Sequence, residues 1–304
     1  MTDMSQRFSR RKFMASTLLS AFFGGLQTRA ALPLTGPTLP WRNWSGNQLS
    51  QPKSRVNPKT EDELIEFLKN SSGPIRPAGS GHSFSALVPT DGHLIVIDRL
   101  AGRIDHDADR LEANFGAGTR LGDMGPLLGS IGQAMFNLPD IDRQTLAGAT
   151  ATATHGTGIG FTNLSAYISG MRLISVSGEV IDLHEGDDRR ADLFDAARVS
   201  LGALGLVTQI RLQNRLPYRL KAKSWVQKTE EVLEHFDESA LSHRHFEMFP
   251  LTHSDYATVL AIDETEEPIN NPPPTQEDEE FFGDFLSSVS MVPPGLRRDR
   301  KSVV

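Results

Sequence analysis

Two glycine-rich stretches carry the residue types best suited to gripping an anion. They are Arg76-Pro-Ala-Gly-Ser-Gly-His-Ser-Phe84 and Thr145-Leu-Ala-Gly-Ala-Thr-Ala-Thr-Ala-Thr-His-Gly-Thr-Gly158. Glycine reaches positive φ and lacks the Cβ that would hold a phosphate away from the main chain, so such loops form nests of N–H donors. Serine and threonine hydroxyls add further donors. Each loop is expected to bring bare backbone N–H groups against an anion, and together they point to a bound dinucleotide.

Other chemistries are poorly supported. The first loop approaches Gly-x-Gly-x-x-Gly, yet Phe84 stands where the third glycine belongs, and Pro74 and Pro77 replace the hydrophobic strand that a Rossmann turn follows. Taken alone, this loop is equally an ordinary Gly/Ser turn; the second loop turns the argument toward a ligand. A serine hydrolase would need a Gly-x-Ser-x-Gly elbow, which is absent. Zero cysteines exclude disulfides, thiolate metal sites and a cysteine nucleophile. His243, His245 and Glu247 alternate along one strand face, but no fourth ligand accompanies them and no metal is assigned.

With Leu201-Gly-Ala-Leu-Gly-Leu-Val-Thr-Gln-Ile210 as a third ordered motif, the chain resembles the vanillyl-alcohol-oxidase-type flavoproteins. Within them it is most similar to the aldonolactone and alditol oxidases, the group of D-arabinono-1,4-lactone oxidase and L-gulonolactone oxidase. The resemblance covers about Trp41 to Glu267. It implies FAD as cofactor and an α+β fold, in which a two-subdomain FAD-binding domain is followed by a cap domain over the substrate. The implied reaction oxidises a CH–OH group of a sugar lactone or alditol, with oxygen or another electron acceptor.

By position, the resemblance implies cofactor contacts from Ala78, Gly79, Ser80, Gly81, His82 and Ser83, from Thr145, Gly148, Ala149, Thr152, His155 and Gly156, and from Val207. His82 matches the histidine that the family joins covalently to the flavin 8α-methyl carbon, a link that raises the flavin's potential. The alternative is a loop histidine that hydrogen-bonds phosphate. His155 is either a base tuned near neutrality or an organiser of backbone around the cofactor. His93, His106, His184, His235 and His253 have no supporting constellation and read as surface or structural histidines.

A formal net charge of -7 over 304 residues argues against a nucleic-acid partner, because a polyanion is drawn to basic fields. Ser9-Arg-Arg-Lys-Phe-Met14 precedes the short apolar run Ala15 to Leu26, and Thr28-Arg-Ala30 offers a cleavage site. Residues 1–30 therefore read as a twin-arginine-type signal peptide, with export by that machinery to a periplasmic or extracellular location. The alternative is an uncleaved membrane anchor. Residues 31–216 form the expected FAD-binding domain and 217–298 the start of the cap.

The cap is expected to be unfinished. A His-Trp-containing segment and catalytic charged residues, which the family carries near its C-terminus, have no match here. The chain is thus expected to be truncated, with its catalytic residues in the missing part and turnover near background, as a flavin-binding fragment. Asp299-Arg-Lys-Ser-Val-Val304 is expected to be foreign, since its codons can spell a string resembling a sequencing adapter.

The elements that must position the loops are legible in part. Thr60 and Glu63 form a capping box ahead of a helix carrying Leu64, Ile65 and Leu68 and ending near Asn70. His93 to Asp98, Leu111 to Phe115 and Leu206 to Leu212 read as strands, and Met171 to Leu183 as a hairpin turning at Ser177-Gly178. Arg120 to Ile131, Ala191 to Val199 and Val226 to Phe236 read as helices. Leu32 to Asn57 reads as irregular. Phe246 to Ile262 has strand-like stretches, and Asp263 to Glu280 is acidic and proline-rich.

Overall fold

The computed structural model describes residues 40–269; the expected signal peptide, the end of the expected cap and the last six residues lie outside them. The described chain divides into two units. The larger runs to Gly156 and resumes from Phe161 to Pro217, and the smaller joins Thr157–Gly160 to the chain from Tyr218 onward.

The larger unit holds two principal sheets. β3 (Ser54–Val56), β5 (His93–Val96) and β4 (Ile75–Ala78) form a small parallel sheet with β5 at its centre. Every residue of β5 is buried, which explains its unbroken apolar run after His93. The second sheet is antiparallel, in the order β6 (Arg103–Asp107), β7 (Glu112–Gly116), β10 (Leu206–Gln213), β8 (Ile168–Ile174) and β9 (Val180–His184). Gly178, at φ +81°, turns the β8–β9 hairpin as its sequence requires.

Helices cover that sheet and close one continuous core. α1 (Glu61–Asn70) contributes Leu64 and Leu68, α2 (Leu121–Gly129) contributes Leu121, Met124 and Leu128, α3 (Leu146–Ala151) contributes Leu146 and Ala149, and α4 (Ala191–Arg198) contributes Phe194 and Ala197. They meet Phe115, Met171, Leu173, Leu183, Ile210 and Leu212 of the sheet. The expected capping box forms at the head of α1: Thr60 Oγ1 accepts from the Glu63 N–H at 3.1 Å, and the Glu63 carboxylate reaches back to the Lys59 N–H at 2.7 Å. α2 stops before the expected Ile131, because Gly132 at φ +70° reverses the chain and lets the Gln133 N–H bond the Leu128 carbonyl.

In the smaller unit, β11 (Leu220–Lys228), β13 (Tyr256–Glu264) and β12 (His245–Pro250) form an antiparallel sheet. α5 (Thr229–Glu234) and α6 (Phe236–Ser242) follow β11, and Val232, Phe236, Phe246, Val259 and Ala261 pack together. The helix expected from Val226 is corrected here. Val226, Gln227 and Lys228 continue β11 in register with Thr258, Ala257 and Tyr256, and helix begins only at Thr229. Leu220 and Ala222 alternate with exposed Lys221 and Lys223, a period of two that belongs to a strand.

A second correction concerns Leu32 to Asn57. Its described part is ordered into β1 (Trp41–Arg42), β2 (Leu49–Ser50) and β3. These pairs are two or three residues long, too short to leave a periodic signal.

Candidate cofactor-binding site

β4 delivers the chain into the first loop at Ala78, and the segment around β1 holds that loop in place. Gly81 sits at φ +72°, and a Cβ there would lie 3.3 Å from Trp41 Cζ2 and 3.5 Å from Asn43 Cα. The Gly81 carbonyl accepts from the Trp44 N–H at 2.8 Å. The Ser83 carbonyl accepts from Asn43 Nδ2 at 2.9 Å, while Asn43 Oδ1 accepts from the Gln48 N–H at 3.0 Å. With the Phe84 carbonyl, which accepts from Asn47 Nδ2 and Gln48 Nε2 at 3.1 Å each, three of the loop's carbonyls are tied to the lead-in segment. The N–H groups of Ser80, Gly81, His82 and Ser83 meet no acceptor among the described residues.

His82 stacks on Trp44, with ring centroids 5.4 Å apart and planes at 23°. Burial, then the positive charges of Arg120 and Arg143, hold its pKa below the ordinary 6.5. A ring kept neutral retains an unprotonated nitrogen. Ser80 turns its hydroxyl into the protein, donating to the Arg143 carbonyl at 2.6 Å and accepting from Arg120 Nη1 at 2.8 Å.

The second loop is built differently. Thr145 caps α3, its Oγ1 accepting from the Gly148 N–H at 3.3 Å. The Leu146 and Ala147 N–H groups donate to the Thr119 and Ala117 carbonyls at 2.7 and 3.0 Å, and that of Ala149 to the Thr145 carbonyl at 2.9 Å. Bare donors were expected in both loops; the head of α3 does not supply them, because it docks on the strand end beyond β7 and closes its own cap.

The two loops meet at the Thr145 hydroxyl. A Cβ on Gly79 would come within 2.3 Å of Thr145 Oγ1, and one on Gly148 within 2.9 Å. Both glycines are required by this contact.

Ala78, Gly79, Ser80, Gly81, His82, Ser83, Thr145, Gly148, Thr152 and Val207 line a single cleft. Leu87, Val88, Ile97 and Leu201 complete its apolar side. Ala149, within α3, is fully buried and turned away from the cleft lining. His155 and Gly156 do not line the cleft: His155 is exposed, with Nδ1 3.0 Å from the Gly156 carbonyl. Sequence reasoning missed Asn43, Trp44, Arg120 and Arg143, which lie far from the loop in sequence and belong to no motif.

The cleft fits FAD on its own terms. Four donors without acceptors among the described residues suit a pyrophosphate, and the apolar side chains of the cleft suit a flat ring system.

In the smaller unit, His243 Nδ1 lies 2.7 Å from Asp263 Oδ2, and His245 Nδ1 lies 2.9 Å from the Thr157 carbonyl. Glu247 accepts from Thr157 Oγ1 at 2.8 Å. His245 and Glu247 thus share Thr157 while His243 pairs with Asp263, and no three of His, Asp or Glu gather as a metal set among the described residues.

Residues 52–184 match the family described as FAD binding domain, and residues 210–298 match that described as D-arabinono-1,4-lactone oxidase. The chain is thus similar, over these two stretches, to FAD-binding proteins of the aldonolactone oxidase group. The second match extends past Glu267, where the resemblance read from motifs stops. The chain is 37% identical over 238 residues to L-gulono-1,4-lactone dehydrogenase of Mycobacterium tuberculosis, covering 77% of this chain and 54% of that protein. It is 28% identical to L-gulonolactone oxidase of Scyliorhinus torazame, over 75% of this chain and 52% of that one. The chain thus spans about half the length of these curated relatives. Its fold is that of cholesterol oxidase from Brevibacterium sterolicum, with a TM-score of 0.68 at 16% identity over 88% of this chain and 59% of the other.

Proposed function

We propose that this protein binds FAD in the cleft between its two glycine-rich loops and belongs to an oxidoreductase that takes hydride from the CH–OH carbon of a sugar lactone or alditol. The observation that carries the reading is the first loop, whose four N–H groups meet no acceptor among the described residues, beside a histidine whose pKa burial holds below its ordinary value. When bound, FAD supplies the hydride acceptor. The chain's part is to hold the pyrophosphate on the N–H groups of residues 80–83, to seat the rings against Val207 and its apolar neighbours, and to fix them for substrate approach. The names of the relatives, L-gulono-1,4-lactone dehydrogenase and L-gulonolactone oxidase, support the donor class.

His82 is the proposed point of covalent attachment. It lines the cleft, and its neutral ring keeps a lone pair available for a bond to carbon. Acid precipitation of the purified protein tests this. Colour should remain with the pellet, and His82→Ala should release FAD to the supernatant; a folded, colourless wild-type protein refutes the flavin reading, and colour lost on acid treatment refutes only the bond.

Oxygen is the proposed electron acceptor. The relative at 37% identity is named a dehydrogenase, which favours a second reading with a carrier in its place. Anaerobic reduction of the bound flavin by a panel of lactones and alditols, followed by admission of oxygen, separates the two by whether colour returns. Export is proposed from the Arg10-Arg11 pair. Changing both to Lys should leave precursor in the cytoplasm, and unchanged export would remove the twin-arginine reading.

A further inference from the structure

Arg120 stands at the head of α2, yet makes no side-chain cap there. Its Nη1 donates instead to Ser80 Oγ and to the Arg143 carbonyl, both at 2.8 Å, and Ser80 Oγ donates to the same carbonyl at 2.6 Å. This closed triangle joins three separate stretches of chain. One is the first loop, two residues before His82; another is the start of α2; the last is the turn that leads into α3.

We propose that Arg120 is a positioning residue for the flavin: it staples the first loop to the turn before α3 and fixes the place from which His82 faces the cofactor. The inference rests on the reading that this cleft holds FAD. A loop that leaves four N–H groups without acceptors gains little rigidity from its own hydrogen bonds, so its shape must be imposed from outside. Asn43 and Trp44 do this on one side. Arg120 does it on the other.

The same cation acts on His82 through space. The charged groups that bear on His82 are Arg120 and Arg143, both positive, and both add to burial in holding the ring neutral. Arg143 lies 3.5 Å from Asp142 and is largely exposed, so its field is partly countered and screened. The face supplied by the lead-in segment is the uncharged Trp44. A charge-removing change at Arg120 therefore alters both the loop and the ring, whereas a change at Ser80 alters the loop alone.

Three variants separate these effects in the full chain: Arg120→Gln, Arg120→Lys and Ser80→Ala. The readouts are flavin per chain after purification, the rate at which apoprotein takes up added FAD, and the pH at which the His82 ring titrates by NMR. Arg120→Gln should load FAD about tenfold more slowly and move the His82 titration upward toward its ordinary value. Arg120→Lys should keep the low titration and recover part of the loading. Ser80→Ala should slow loading while leaving the titration low.

Wild-type loading together with an unchanged His82 titration in folded Arg120→Gln overturns the proposal and leaves the flavin reading standing. Should Arg120→Gln fail to fold, Ser80→Ala decides: wild-type loading in that variant overturns the staple. A wild-type chain that takes up no FAD overturns both.

Discussion

The two glycine-rich loops look alike in sequence and behave oppositely in structure. The first makes few bonds of its own through its N–H groups and depends on Trp41, Asn43, Trp44 and Arg120 for its shape. The head of the second uses its N–H groups on Thr119, Ala117 and its own Thr145. Composition shows that a stretch can be a nest; whether its donors are available depends on what the fold places within reach of them. In the proposed cofactor site the first loop is the binding surface. The second is the rigid wall against which it is set.

The largest expected effect tests the contact between them. In Gly79→Ala the new methyl would lie 2.3 Å from the buried Thr145 hydroxyl, and a threonine side chain is too short to swing clear. Overpacking of this kind costs about 1–3 kcal/mol, so thermal unfolding should fall by several degrees and flavin content should drop. Thr145→Ala in the same chain should restore part of both. Wild-type stability in the single variant would show that the two loops do not touch in this way.

Asn43→Ala probes the dependence of the first loop on outside support. It leaves the Ser83 carbonyl and the Gln48 N–H without their partner, a loss of about 1–3 kcal/mol, and flavin content should fall with stability. Thr145→Val probes the self-sufficient loop. Loss of the cap to Gly148 should lower stability by about 0.5–2 kcal/mol, measured by urea unfolding, with a smaller loss of flavin than Asn43→Ala shows. A reversal of these two patterns would mean that the roles assigned to the loops are exchanged.

The smallest effect concerns pH. The folded chain resists protonation of His82 below the ordinary 6.5, so as pH falls the unfolded chain takes up that proton first and stability declines. The contribution is complete above 6.5 and is lost as pH falls through the folded value. Unfolding curves between neutral and mildly acid pH should therefore be less pH-dependent in His82→Gln than in wild type. Equal slopes would mean that the ring titrates normally in the fold.

Much of the site was legible because its residues are contiguous. Gly79 to Ser83 and Thr145 to Thr152 are motifs in one dimension, and the strand reading of Leu206 to Leu212 placed Val207 beside them. The capping box at Thr60 and Glu63 and the glycine at 178 were legible for the same reason, since capping and turning are local acts. What escaped was the support. Asn43 reaches Ser83 across forty positions and Arg120 reaches Ser80 across forty more, and neither residue type signals such a role. β11 escaped because its exposed Trp225 and Val226 obscure the alternation set by Lys221 and Lys223, giving a pattern that also suits a helix.

The unmatched donors of residues 80–83 also make the protein's lifetime a matter of supply. A ligand that occupies them binds only the folded chain, so each tenfold excess of free flavin over its dissociation constant adds about 1.4 kcal/mol to stability. In a cell short of riboflavin, the newly made chain would spend longer in an open form that proteases can cut. Abundance of this protein should then follow the vitamin, even with its gene transcribed at a constant rate.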